Sequence, residues 1–203
     1  MIRTKIRLLI NIIILSFLPS LNITAQKDIK AKEILDAVSA SYENRKGLEI
    51  TFGGTAEGKI ILKGNMFMLD CDGVKTWFDG ITQWSFIEES NEVNISSPTE
   101  EEQKMVNPYS LIRMYDNGYG YKYIGTKKRN GEMCKEVMLI PETEQNYKHI
   151  IIDINSKLEP IYIEFVYHDD YRENITVKEY KENNNLKEDD FRFDMDAHSD
   201  AEQ

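Results

Sequence analysis

Gly58-Lys59-Ile60-Ile61-Leu62-Lys63-Gly64-Asn65-Met66-Phe67-Met68-Leu69 decides the fold class. Ile60 and Leu62, then Phe67 and Leu69, stand two positions apart, which is the period of a strand with one face buried. Gly64-Asn65 between them has the chemistry of a tight hairpin turn. The same punctuation extends outward from this stretch. Gly53-Gly54 lies upstream, and Thr76-Trp77-Phe78 and Gln83-Trp84-Ser85-Phe86 follow downstream, set off by Asp72-Gly73 and Asp79-Gly80. Short strands with turns about every eight to twelve residues predict an antiparallel meander. A second series of runs, at 119–125, 133–140, 147–155, 161–167, 174–180 and 191–193, predicts further strands, with turns at Asn130-Gly131 and Asn155-Ser156.

Two segments have the helical period instead. Residues 28–44 place Ile34, Leu35, Val38 and Tyr42 on one stripe, with Lys30, Lys32, Glu33, Asp36 and Glu43 mostly opposite and Gly47 just beyond. That is an amphipathic helix. At 100–115, Thr99 can cap a helix whose positive end suits Glu100, Glu101 and Glu102. Pro108 splits this segment, and its second half bears Tyr109, Leu111, Ile112 and Tyr115.

Most strands carry one apolar face: Ile60/Leu62, Phe67/Leu69, Trp84/Phe86, Val93/Ile95, Val137/Leu139, Ile150/Ile152/Ile154, Ile161/Ile163/Phe165 and Ile175/Val177. Lys59, Lys63, Asn94, Lys135, Asp153, Glu164 and Lys178 are assigned to the other face, which predicts a single large sheet with one dry side and one wet side. The fold class is mainly β (α+β), with helices over the dry face. One helix and one interrupted pair are a small cover for so much apolar sheet. A cavity beneath them is the expectation, and a fully packed core of the same residues is the alternative.

The chain has 203 residues, 41% of them hydrophobic, enough for one domain or one domain and a tail. Its 25 Lys and Arg against 35 Asp and Glu make a net charge of −10, and the first 25 residues hold Arg3, Lys5 and Arg7 without an acid, so the remainder is at −13. An acidic body of this kind argues against nucleic-acid partners and against docking on an anionic membrane surface. Residues 1–25 have the layout of a cleaved signal peptide: a basic start, an apolar run at 8–18, then Pro19-Ser20 and a small-residue site at Ala25. The run is shorter than the roughly 20 residues of a spanning helix. Residues 26–193 are therefore expected as one exported, periplasmic domain without stable membrane insertion, and 194–203 as an acidic flexible tail. Cys71 and Cys134 form no CxxC pair; they are either a disulfide or two buried free thiols.

No constellation of catalytic residues stands out. His149, His168 and His198 are scattered, and His168-Asp169-Asp170 lacks the spacing of a ligand set. Glu88-Glu89 and Asp189-Asp190 read as solvated turn residues, not acid/base dyads. There is no GxSxG, HExxH or Gly-rich phosphate loop. The expectation is a protein that is not an enzyme, with no cofactor and no metal.

The runs 58–67 and 76–84, with Asn91-Glu92-Val93-Asn94-Ile95-Ser96, Asn107-Pro108-Tyr109 and the closing Phe191-Arg192-Phe193, resemble the periplasmic outer-membrane lipoprotein carrier family, the LolA-like proteins. The order and spacing of these motifs carry the resemblance across nearly all of 26–193. It implies an incomplete antiparallel β-barrel, a strongly curved single sheet whose concave apolar face is covered by a helical lid. It also implies a monomer that takes acylated lipoprotein or lipid cargo from an inner-membrane transporter and hands it to an outer-membrane acceptor. On that reading Ile60, Leu62, Phe67, Leu69, Trp84, Phe86, Ile152, Ile163 and Phe165 form the cavity wall, and Leu35, Val38, Leu111 and Ile112 the lid. Family members of the best-known lineage have an Arg-Pro pair whose arginine holds the lid shut. Lys63-Gly64 stands at that place here, making Lys63 the latch candidate. The readings from other classes are a single-domain envelope sensor of the same fold, binding an acylated ligand or a partner protein, and a secreted enzyme or adhesion module with a packed sheet.

Overall fold

The structure, a computed structural model, describes residues 27–99, 113–195 and 197. The signal-peptide segment, residues 100–112 of the helix expected over 100–115 with Leu111 and Ile112, and His198 lie outside the described residues.

The chain after Lys27 opens with helix α1, Ile29–Glu43. Asp28 caps it, its carboxylate accepting from the backbone of Lys30 at 2.8 Å and of Ala31 at 3.3 Å. Ala31, Ile34, Leu35, Val38, Ser39 and Tyr42 are buried, a stripe at the three-and-four spacing read from the sequence. Among the described residues eleven strands follow. The first six are β1 (Leu48–Gly54), β2 (Gly58–Lys63), β3 (Met66–Cys71), β4 (Val74–Phe78), β5 (Gln83–Ile87) and β6 (Glu92–Ser96). After a short 3-10 turn at Met114–Asp116 come β7 (Tyr119–Arg129), β8 (Glu132–Pro141), β9 (Tyr147–Ile154), β10 (Pro160–Tyr167) and β11 (Arg172–Glu182).

They form one antiparallel sheet in the order β6-β5-β4-β3-β2-β1-β11-β10-β9-β8-β7. The two meanders are joined by the pairing of β1 with β11, and β6 and β7 remain as edges, so the curved sheet does not close. Register shifts at Thr51/Phe52, Tyr123/Gly125, Pro160/Tyr162 and Val166/Tyr167 bend it, because each extra residue on one strand increases local twist. The hairpin tips have the left-handed backbone that their residues allow: Asn130 has φ 49° and Gly131 φ 90°.

The run at 191–193 is not a strand. Glu188–Phe191 is a 3-10 turn, and this C-terminal segment packs on the sheet face opposite α1. Phe191 is fully buried there, and Phe193 meets Trp77 edge-on at 5.3 Å and Phe86 in a tilted pair at 5.6 Å between ring centroids. Among the described residues no helix is long and apolar enough to cross a membrane.

Candidate functional site

The pairing register places each predicted wall residue. Leu48, Leu62 and Phe67 lie in one cross-strand row with Phe78; Ile50, Ile60 and Leu69 form the next. On the other half of the sheet Val137, Ile152, Ile163 and Ile175 make one row, and Leu139, Ile150 and Phe165 another. These rows and the buried stripe of α1 form one apolar cluster. The structure therefore brings together Leu35, Val38, Ile60, Leu62, Phe67, Leu69, Ile152, Ile163 and Phe165. Most are closely covered: Leu35, Val38 and Phe67 are each 1% exposed, while Leu69, Ile163 and Phe165 are half-buried.

Trp84 and Phe86 are not part of this wall. Phe78 pairs with Gln83 and Thr76 with Ser85, so β5 presents Gln83, Ser85 and Ile87 on the α1 face. Trp84 and Phe86 point the other way, beside Trp77 and Val93, into a second cluster covered by Phe193. An apolar alternation in β5 has the same appearance whichever side is covered, and the C-terminal segment covers the far side. Val93 belongs to that cluster too, and Ile95 shares its face beside Trp84.

Lys63 also belongs to the far face, in register with Met66. Its ammonium donates to the Leu186 carbonyl at 2.8 Å and so anchors the C-terminal segment instead of latching the lid. Gly47 marks the same docking: a Cβ there would lie 2.3 Å from the Asn183 carbonyl oxygen and 2.8 Å from the Leu186 side chain.

Other groups fasten α1, and sequence reasoning missed them. At its start the Asp28 amide donates to the Tyr121 carbonyl at 3.1 Å, and the Tyr123 amide donates to the Asp28 carboxylate at 3.2 Å. The hydroxyl of Tyr115, a buried residue, donates to Asp36 at 2.7 Å, and Lys32 donates to the same carboxylate. Lys32 first, then Tyr115, hold the Asp36 carboxyl below the usual carboxylate range. At the helix end the Tyr42 hydroxyl donates to that of Tyr180 at 3.0 Å, which donates to the Pro160 carbonyl at 2.6 Å. Arg45 pairs with Glu159 at 3.3 Å, both side chains largely buried. Asn155 supports Glu159 from its other oxygen at 3.0 Å. The sequence signal for these contacts is faint: tyrosines and arginines whose partners are far away in the chain.

On the far face Asp153 is completely buried, although the sequence placed it on a wet side. Arg129 and Lys127 pair with one of its oxygens, and the other has no hydrogen-bond partner. Burial holds its carboxyl above the usual range against the pull of Arg129 and Lys127. The Arg129 guanidinium also stacks 3.4 Å above the Tyr162 ring. Cys71 and Cys134 are free thiols on opposite faces of the sheet, and burial raises the pKa of both. Among the described residues no group of three His, Cys, Asp or Glu is placed to hold a metal. An open groove of about 370 Å3 between Phe52, Glu57, Lys59, Asp70 and Lys178 has charged walls already tied in ion pairs, Lys59 with Glu49 and Lys178 with Glu57. Among the described residues the arrangement is thus a broad apolar wall beneath helix α1, which a few polar contacts hold in place.

A family model described as outer membrane lipoprotein carrier protein LolA matches residues 21–163. No curated protein matches the chain. Among solved structures, an uncharacterized conserved protein from Thermus thermophilus shares the fold, with a TM-score of 0.62 and 16% identity over 83% of this chain and 96% of that one. Two others match less well. The lipoprotein LppX of Mycobacterium tuberculosis has a TM-score of 0.47 and 10% identity, over 77% of this chain and 99% of its own. A putative outer membrane lipoprotein-sorting protein domain from Vibrio parahaemolyticus has a TM-score of 0.43 and 13% identity, over 80% and 96%.

Proposed function

The chain belongs to the outer membrane lipoprotein carrier protein LolA family, and from that membership and the geometry of α1 we propose that it is a periplasmic carrier of acyl chains. The cargo is an acylated lipoprotein or another acylated lipid, received from an inner-membrane transporter and passed to an outer-membrane acceptor. Residues 1–25 are its export signal, and the working protein carries out no reaction of its own.

The observation that carries this reading is the cover of the apolar wall. Among the described residues helix α1, 15 residues long, lies on it, secured through polar contacts at Asp28, Asp36, Tyr42 and Arg45. An acyl chain gains about 0.8 kcal/mol for each CH2 it buries. To do so here it must displace Ile34, Leu35, Val38 and Tyr42 from the same wall, and that displacement offsets much of the gain. Uptake and release then both remain accessible, as a shuttle requires.

Native mass spectrometry of protein purified from its own envelope should find bound acylated species, and the delipidated protein should take up a fluorescent fatty-acyl probe. Leu62→Glu puts a carboxylate on the wall and should abolish uptake while circular dichroism stays unchanged. Trp84→Glu, on the far face, should leave uptake intact. A delipidated wild-type protein that takes up no probe would overturn the proposal.

A further inference from the structure

One stretch of this acidic chain is locally basic. Between Tyr119 and Lys135 the β7–β8 hairpin carries Lys122, Lys127, Lys128, Arg129 and Lys135 against the one acid Glu132, a local charge of +4 where the chain from residue 26 on is at −13. The register then sorts them. Lys127 and Arg129 turn to the far face and are consumed by Glu136 and the buried Asp153. Lys128 lies directly across from Met133, and Thr126 across from Lys135, so the two lysines flank Met133 on one face. All three side chains are exposed, Met133 at 60%, and neither lysine has an ion pair among the described residues. The polarity pattern sets Lys135 opposite Val137, but two positions along one strand share a face. Met133, Lys135, Val137 and Leu139 therefore run along β8 from the surface straight into the apolar wall, where the last two are fully buried. The start of α1 is tied to the same hairpin at Tyr121 and Tyr123.

We propose that this end of the hairpin docks reversibly on an anionic lipid bilayer, Lys128 and Lys135 among the headgroups and Met133 in the interface. An exposed apolar side chain flanked by two ammonium groups at a hairpin end meets a plane well. The strongly acidic remainder of the surface is repelled by the same plane, so the molecule presents this end alone. Net charge, which argued against anionic membranes, averages over that asymmetry. The docking brings the wall and the anchored end of α1 to the bilayer. It rests on the acyl-carrier reading only for its use, not for its physics.

Sedimentation with phosphatidylglycerol-containing vesicles tests it. The full exported chain should bind at low salt, detach at high salt, and ignore pure phosphatidylcholine. Lys128→Gln with Lys135→Gln should weaken binding about 30-fold, two contacts at about 1 kcal/mol each. Met133→Ser should weaken it further, whereas Lys46→Gln with Lys181→Gln should leave it unchanged. Equal loss in both double variants, binding to neutral vesicles, or preference for soluble polyglutamate over vesicles would each overturn the proposal. Acyl-probe uptake in solution, measured on the same samples, keeps the two readings apart: uptake without vesicle binding sinks this one alone, and vesicle binding without uptake sinks only the carrier.

Discussion

Arg45→Met tests how α1 is held. The Arg45 guanidinium approaches one oxygen of Glu159 at 3.3 and 3.4 Å, and the other oxygen accepts from Asn155 at 3.0 Å. Arg45 lies just past the end of α1, where its amide bonds the Tyr42 carbonyl, and Glu159 sits between β9 and β10. The substitution leaves a buried carboxylate with half its partners. Removing one member of a buried pair costs about 3–5 kcal/mol, and the long contacts here favour the lower end, about 3 kcal/mol. Glu159→Gln added to Arg45→Met keeps an acceptor for Asn155 and needs no countercharge. The double variant should therefore return to within about 1 kcal/mol of the parent. Urea unfolding should report this as a shift of midpoint at constant slope. Hydrogen exchange should localise it: a loss of about 3 kcal/mol is roughly 150-fold in protection, expected in α1 and not in β9. Equal destabilisation of the single and double variants, or a protection loss spread evenly over the sheet, would refute the reasoning.

Tyr42→Phe removes one hydroxyl from the helix while Tyr180 keeps its bond to Pro160, so stability should fall by about 1 kcal/mol and acyl-probe uptake should quicken in stopped-flow fluorescence. Asp36 is held below its ordinary pKa in the fold, so its contribution is present above the unfolded value of about 3.9 and is lost as pH falls through the folded one. Titration with an apolar dye should accordingly show the lid loosening below about pH 4, and Asp36→Asn should show part of that loosening already at neutral pH. Phe193→Ala strips the aromatic contacts with Trp77 and Phe86 and should cost about 3 kcal/mol in thermal unfolding without changing probe uptake, because it acts on the far face.

The residues that mislead are those whose local pattern has two equal solutions. Trp84 and Phe86 alternate as cleanly as Leu62 and Ile60, and both alternations correctly announce strands. Lys63 ends a wall strand, which suggests a place near the lid, but its position in the pleat sends it to the other side. Phe191 and Phe193 have strand spacing and close the resemblance to the family, yet they are a turn and an anchor. Asp153 reads as solvated because it alternates with Ile152 and Ile154 on the covered face; Lys127 and Arg129, from a strand not adjacent to its own, are what bury and neutralise it. The lysines of the β7–β8 hairpin are visible in the sequence as a cluster, but only the register separates those facing Asp153 from those left bare.

From the sequence alone came most of the strands and hairpin turns, the first helix, the meander order and the family. All of these depend on period and turn chemistry within a few residues, where pleat and helical pitch leave little choice. The Asp28 cap came from the structure. Which face of the sheet each side chain serves was settled by the tertiary structure. A strand's two faces are equivalent until something covers one of them, and the covers here come from afar. Helix α1 reaches the β9–β10 turn through Arg45, and Phe193 lies about a hundred residues from the tryptophans it shields. The apolar wall exists because those distant segments chose opposite sides.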